Sequence, residues 1–357
     1  MSTREVVICN PVRTPIGAFG GSLKEVPATE LGAVAVRETL RRSGLDPAAL
    51  ASVVMGNVIQ AGNRMNPARQ ASIGGGVPVA VPALTVNRVC GSGAQAIASA
   101  AQEVWLGLGD ASVAGGMENM DRAPYLLDGS RWGYRMGNAQ VHDSLLRDGL
   151  NDAFSGEHSG WHTEDLVAQF DLTRETQDRW AARSQQRFAE AQARGDFNAE
   201  LVAVEIPGRK GPQHFASDEQ PRPDTTVETL ARLRPAFRPD GTITAGNAPG
   251  LNSGAAAMLV AERGFAEARG IEAVRQDRAT YDLPPGDPRA ASLTRAVVFG
   301  APEAVLMDLP QLTEDQPAHR PLIAARAVPW PGEMAVFRSP TTDGFELLTT
   351  FGSRARI

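Results

Sequence analysis

Cysteine is scarce in this chain: Cys9 and Cys90 are the only two in 357 residues. That excludes a disulfide framework and a thiolate-rich metal cluster, and it suits a reducing, cytoplasmic setting. No apolar run approaches the roughly 18 residues of a membrane span, and Met1-Ser2-Thr3-Arg4-Glu5 is not a basic stretch leading into an apolar one. Neither a secretion signal nor a membrane partner is expected. With a net charge of -6 and no basic stripe, the electrostatic footprint of nucleic-acid binding is missing as well. What remains, 42% hydrophobic and 21% charged residues, is ordinary for a globular protein. The length allows two domains, each with its own core.

The apolar pattern alternates between strand-like and helix-like segments. Val6-Val7-Ile8-Cys9, closed by Asn10-Pro11, reads as a strand buried on both faces. Thr29 can cap a helix carrying Leu31, Val34, Ala35 and Leu40, with Gly44 and Pro47 as its stop signals. Residues 52–59 read as the next strand, and Asn66-Pro67 opens a second helix with proline where its missing N–H costs nothing. Residues 94–105 are apolar nearly all round and predict a buried helix. A short strand follows at 111–114. Residues 121–170 lose any clear period and read as loops over a site. Thr173 then starts a polar helix over 174–194, stopped by Gly195, and residues 201–206 and 254–260 read as strands. Arg209-Lys210, between two glycine-proline pairs, reads as a solvated turn. Strands alternating with helices predict an α/β layered fold.

Cys90 stands between the apolar run 83–89 and Gly91-Ser92-Gly93, directly before the apolar helix. The free N–H groups of a helix's first turn carry partial positive charge, so a thiolate placed there is favoured over the thiol. Flanking glycines let a substrate carbonyl approach the backbone. The competing reading is a small buried core residue. His158 and His162, four apart, would share one face of a helix as a metal pair requires, but a third ligand is missing and no metal is expected. His162, His142 and His214 read as loop or surface residues.

Four stretches occur in a familiar order: Arg13-Thr14-Pro15-Ile16-Gly17-Ala18-Phe19-Gly20-Gly21, Asn87-Arg88-Val89-Cys90-Gly91-Ser92-Gly93, Ala114-Gly115-Gly116-Met117-Glu118-Asn119-Met120, and the run 244–254 from Thr244 to Gly254. Through them residues 4 to about 270 resemble the N-terminal and loop domains of the thiolases, of the acetyl-CoA acetyltransferase type. The resemblance implies a mixed sheet with helices over 4–120, a CoA-binding loop domain over 121–245, and a return to the core over 246–270. It implies an acyl-CoA substrate, with Cys90 as the acylated nucleophile and coenzyme A as substrate carrier, no other cofactor being expected. It places CoA against Leu150, His158, Arg222, Thr229, Phe237 and Ala245. Arg222 would offer a planar donor fork to phosphate or adenine, while Leu150, Phe237 and Ala245 would line the pantetheine path. Pro249 and Ser159 replace a serine and a methionine common in the family. A homo-oligomer through the N-terminal core is also implied.

The family's C-terminal half brings a Gly-His-Pro histidine, an asparagine and a second cysteine, and none of these can be placed here. His319 is followed by Arg320-Pro321, and Cys9 belongs to the first strand. General acid–base help contributes about 10²–10⁴-fold, so turnover is expected to be very low or absent. Loss of the C-terminal layer is also expected to leave the helix after Cys90 uncovered. Residues 276–357 form instead a β-rich, proline-rich tail, with strand-like pieces at Ala296-Val297-Val298-Phe299 and Leu322-Ile323. Its segments Asp308-Leu309-Pro310-Gln311-Leu312 and Val328-Pro329-Trp330-Pro331-Gly332 resemble tail or baseplate proteins of phages and gene transfer agents. Three functions stay open: a degraded or inactive acyltransferase, a non-catalytic module that binds CoA or pairs with thiolase subunits, and a structural tail-protein fusion.

Overall fold

The computed structural model describes residues 4–208 and 211–274, and beyond them the backbone of six short strands. In chain order the first elements are β1 (Val6–Arg13), β2 (Gly17–Ala18), α1 (Ala28–Ser43), β3 (Val53–Gly56), α2 (Pro67–Gly74), β4 (Ala83–Val86), α3 (Ser92–Trp105) and β5 (Ala111–Asn119). There follow β6 (Tyr125–Leu127), β7 (Val141–Asp143), α4 (Ser159–Gln169), α5 (Arg174–Arg194), β8 (Val204–Ile206), β9 (Gln213–Phe215), α6 (Val227–Ala231), β10 (Asn252–Glu262) and α7 (Arg263–Glu267). The expected α/β fold is present. Its main sheet has the order β1-β10-β5-β3-β4, with β2 pairing antiparallel to β10 and β3 parallel to both β4 and β5.

Two compact units emerge from the chain contacts. The larger comprises residues 10–100 and 111–259 and holds all the candidate site residues. Its strand β3, between β5 and β4, is buried throughout, as the Val-Val-Met-Gly run requires of a strand covered on both faces. Helices α1 and α2 pack on each other, and Gly74 is where α2 meets Ala33: a Cβ there would lie 2.9 Å from Ala33 Cβ. The smaller unit comprises Met1–Cys9, Ala101–Asp110 and Val260–Ile357. In it Arg263 pairs with Glu5 at 2.7 Å, and residue 274 donates its N–H to Ile8 O at 2.8 Å. Cys9 is fully buried there, and burial pushes its thiol up to about 11 against the lowering pull of Arg263.

Several elements differ from the sequence expectations for identifiable reasons. β1 continues through Asn10 and Pro11 to Arg13; it lies at the end of the sheet, where a proline removes no ladder bond that the sheet needs. Thr29 is not a cap. α1 begins at Ala28, after Pro27, ahead of the start that a Thr29 cap would give, and Thr29 is buried inside its first turn, while Gly44 ends the helix in the left-handed conformation as expected. Asn66 caps α2 and Thr173 caps α5 as read, each accepting from the N–H three residues on. The stretch 121–170 contains a helix that its composition hid, α4. Helix α3 is not buried all round: Ala96, Ala100, Ala101 and Val104 form its inner stripe, while Ala94 is exposed and Ile97 and Ala98 are half-buried. One stripe of a helix faces a sheet whatever the other faces carry.

Beyond residue 274 the described strands are β11 (Leu293–Val297) paired antiparallel with β12 (Ala304–Asp308), and an antiparallel meander of β13 (Ala325–Val328), β14 (Met334–Arg338), β15 (Phe345–Leu348) and β16 (Arg354–Arg356). The β-rich reading of the tail agrees with these strands. Arg209-Lys210, Val298-Phe299, Leu322-Ile323 and His319 lie outside the described residues.

Candidate active site

Cys90 lies in a five-residue turn between β4 and α3, one residue before the first residue preceding the helix, and its side chain is exposed. Two glycines bring the helix to this place. A Cβ on Gly56, at the end of β3, would stand 2.7 Å from the Ser92 carbonyl carbon and 2.8 Å from Gly93 N, and one on Gly116, in β5, would stand 3.6 Å from Gly93 Cα. The first turn of α3 therefore rests on the bare backbone of two neighbouring strands. Gly56, the end of Val-Val-Met-Gly, is the position where this approach leaves no room for a side chain, whereas a Cβ on Gly115 would strike the backbone of β10 at Ala256.

The turn itself is strained. Val89, directly before Cys90, has φ 51, a conformation that costs a β-branched residue about 1–3 kcal/mol. Its N–H donates to Asn87 Oδ1 at 3.0 Å, and its carbonyl accepts from Ser92 Oγ at 2.6 Å and from Ser92 N at 3.0 Å. Ser92 Oγ also accepts from Arg88 N at 2.9 Å. Strand, turn and helix thus present the thiol at the head of α3, as the sequence order suggested; Val89, Asn87 and Ser92 were not legible as its supports.

Glu118 stands behind this turn. Its carboxylate accepts from Val58 N and Asn57 Nδ2, each at 2.8 Å, and burial raises its pKa against the lowering effect of these bonds. The Val58 carbonyl in turn accepts from Asn87 Nδ2 at 3.2 Å. Next in sequence, Asn119 donates to Leu23 O at 2.8 Å and Val26 O at 2.7 Å and accepts from Ser253 Oγ at 3.0 Å, so it ties three segments together. The Met-Glu-Asn stretch after the glycines is a bracket for loops.

The expected CoA positions divide into two groups. His158 and Phe237 stack at 4.6 Å between ring centroids with an interplanar angle of 21°. Gly160 makes the room, since a Cβ there would lie 2.4 Å from the Phe237 ring. His158 caps α4 through Nδ1, which accepts from Gly160 N at 2.9 Å, and partial burial lowers its pKa. Leu150 ends a π-helical turn, Leu145–Leu150, and the next residue, Asn151, bridges antiparallel to His158. The second group surrounds α6. Thr229 forms a reciprocal capping box with Thr226, and Gly246, beside the exposed Ala245, fits against Leu230, which a Cβ would approach to 2.4 Å. The exposed Arg222 is joined to α5 through its backbone N–H, which donates to Gln185 Oε1 at 2.7 Å.

Buried acids fix the segment that carries Ala245. Glu164, on α4, accepts from Thr242 N at 2.9 Å, Ile243 N at 2.8 Å and Thr242 Oγ1 at 3.0 Å. Asp178, on α5, accepts from Arg174 Nε at 2.8 Å and Asn247 Nδ2 at 2.9 Å. Sequence reasoning missed both; the polar character of α4 and α5 gave no sign of which acids point inward.

The turn at Cys90 connects to the first group through a short path. Asn87 holds residue 58, a Cβ on Gly149 would lie 3.3 Å from Ile59 Cδ1, and Gly149 precedes Leu150. The metal-pair geometry considered for His158 and His162 does not arise. His158 lies outside the helix as its cap, and His162 meets Ser155 Oγ at 2.7 Å. Among the described residues no group of three or more His, Cys, Asp or Glu could hold a metal, and no helix is long and apolar enough to cross a membrane. His142 lies near Asp128, at 3.9 Å, and His214 pairs with Glu205 at 2.5 Å; both are partly exposed.

Comparisons with known proteins bear on the family and the fold. The family model for the thiolase N-terminal domain matches residues 6–264. A probable acetyl-CoA acyltransferase of Staphylococcus epidermidis is 50% identical over 270 residues, 75% of this chain and 68% of that protein. An acetyl-CoA acetyltransferase of Pseudomonas aeruginosa is 49% identical over 269 residues, again covering 75% and 68%. The crystal structure of the Bacillus anthracis acetyl-CoA acetyltransferase superposes with a TM-score of 0.74 at 40% identity, over 76% of this chain and 68% of that one. The fold is the α/β fold of that structure over the matched residues. The chain belongs to the thiolase family.

Proposed function

We propose that this chain accepts an acyl group from an acyl-CoA onto Cys90 and does not carry the reaction efficiently beyond that step. The observation that carries this reading is the exposed thiol at the head of α3, held on Gly56 and Gly116 and linked through residues 58–59 to the Leu150, His158 and Phe237 positions. The Cys90 thiolate would attack the thioester carbonyl, the bond from that carbon to the CoA sulfur would break, and CoA would leave as a thiolate that takes a proton from water. CoA would lie along Leu150, His158, Phe237, Ala245, Thr229 and Arg222, with the Arg222 guanidinium as its phosphate or adenine contact.

Carbon–carbon bond formation or thiolysis needs a proton acceptor beside the thiol. Cys9, the other cysteine of the chain, is buried in the smaller unit with its thiol raised to about 11, and it is unsuited to that task. Calorimetric titration with CoA, together with an acetoacetyl-CoA thiolysis assay, tests the reading. CoA binding that is weakened in the Arg222→Ala and Phe237→Ala variants, without sustained thiolysis, is expected. Thiolysis at rates ordinary for enzymes would overturn the proposed incompleteness, and a lack of CoA binding would overturn the substrate class.

A further inference from the structure

Val89 presents a problem that its own side chain does not solve. The residue is in the left-handed region at φ 51, yet its side chain is 51% exposed, so packing does not dictate the conformation. Hydrogen bonds do. The N–H of Val89 points to Asn87 Oδ1 at 3.0 Å, and its carbonyl receives Ser92 Oγ at 2.6 Å. Asn87 is exposed itself, but its Nδ2 is fastened at 3.2 Å to the Val58 carbonyl, and the Val58 N–H is held at 2.8 Å by the part-buried Glu118 carboxylate. Ser92 is buried above Gly56 and so is fixed by the sheet. The strained residue is gripped from both sides by groups that the sheet anchors, and the next residue is the thiol.

We propose that Asn87, acting with Ser92, is a positioning residue for Cys90: it holds Val89 in the left-handed conformation and so sets the direction in which the thiol leaves the turn. This rests on Cys90 being the acyl-accepting nucleophile. Asn87 touches no reacting atom in this account. Its contribution passes through the backbone of Val89, which makes a suppressor available, because glycine adopts positive φ without steric cost and does not need the side chain of residue 87 to hold it there.

The test uses the full chain and measures two rates at Cys90 by intact-mass spectrometry, acetylation by acetyl-CoA and alkylation by iodoacetamide. Far-UV circular dichroism and the urea midpoint report that each variant is folded. Asn87→Ala is expected to slow both rates about tenfold, the effect of losing one hydrogen bond to a strained element, with the fold retained. Adding Val89→Gly to Asn87→Ala is expected to restore both rates to within about threefold of the wild type. Unchanged rates in Asn87→Ala, or a loss that Val89→Gly does not relieve, would overturn the positioning role. Should the wild type take no acetyl group while the alkylation rates of wild type and variants still follow the expected order, the nucleophile reading falls, and with it the role in acyl transfer, while Asn87 is still shown to set the direction of the thiol. Should the wild type be acetylated and all variants behave alike, the reverse holds.

Discussion

Gly56 lies directly under Ser92, so close that a single added methyl would stand 2.7 Å from both the carbonyl carbon and the Cβ of Ser92. The atoms it would strike belong to the backbone and first side chain of α3, and they cannot swing aside as a flexible side chain could. Gly56→Ala must therefore push the head of the helix away from the sheet. Overpacking of this kind costs about 1–3 kcal/mol. A lower urea midpoint and a slower reaction of Cys90 with acetyl-CoA are expected together. Wild-type stability in this variant would show that the helix does not rest on Gly56.

The two cysteines are expected to behave oppositely toward alkylating reagents. Cys90 is exposed, whereas Cys9 is fully buried with its thiol raised to about 11. In native buffer near neutral pH, iodoacetamide should modify Cys90 alone, and Cys9 should react only when the chain is unfolded in urea. Peptide mapping reads the result, and rapid native labelling of Cys9 would contradict the burial of β1.

His158 carries a pH dependence whose sign follows from its role. Burial holds its pKa below the ordinary histidine range, and its Nδ1 accepts a hydrogen bond from Gly160, which only the neutral ring can do. A group whose folded-state pKa is lowered adds stability that is present above its unfolded pKa and is lost as pH falls through the folded value. As pH falls from the ordinary histidine value of 6.5 through the lower folded value, the α4 cap should therefore open. Faster exchange of the Gly160 amide, after correction for intrinsic rates, and weaker CoA binding are expected over this range. A His158→Ala variant should lose most of that pH dependence and about 1 kcal/mol of stability.

Glu164 should separate CoA binding from thiol chemistry. In Glu164→Ala the Thr242 and Ile243 amides lose their acceptor, at a cost of about 1–3 kcal/mol for buried donors left unpaired. The 242–247 segment with Ala245 would loosen, and CoA affinity measured by calorimetry should fall several-fold. Alkylation of Cys90 should stay at the wild-type rate, since Asn87, Ser92 and Glu118 are untouched. A parallel loss of both would mean that the two regions are coupled more tightly than their contacts indicate.

How much of this was legible in the sequence depends on whether the signal was local. Asn66-Pro67, Thr173 and Gly195 announce helix ends because a cap acts on the residues next to it, and all three perform as read. The nucleophile's setting was legible for the same reason: an apolar strand, a thiol, glycines and an alanine-rich helix follow one another directly. Thr29 misled because Pro27 starts α1 and buries the threonine in the first turn. Asn10-Pro11 suggested a strand end, which the position of β1 at the sheet's edge made unnecessary. Helix α4 was hidden because His158, an uncommon cap, opens it. The inward turn of Glu164 and Asp178 depends on partners tens of residues away, and Val89 is held by its near neighbours Asn87 and Ser92, whose own anchors at Val58 and Gly56 are distant in sequence, so no local pattern announces either.

The central claim is that Cys90 takes an acyl group from an acyl-CoA, and its most direct measurement is the intact mass of the full chain after incubation with acetyl-CoA. One acetyl group per chain, mapped to the peptide containing Cys90, released by hydroxylamine and absent from Cys90→Ser, is the expected result. An unchanged mass under conditions where iodoacetamide still alkylates Cys90 would contradict the account.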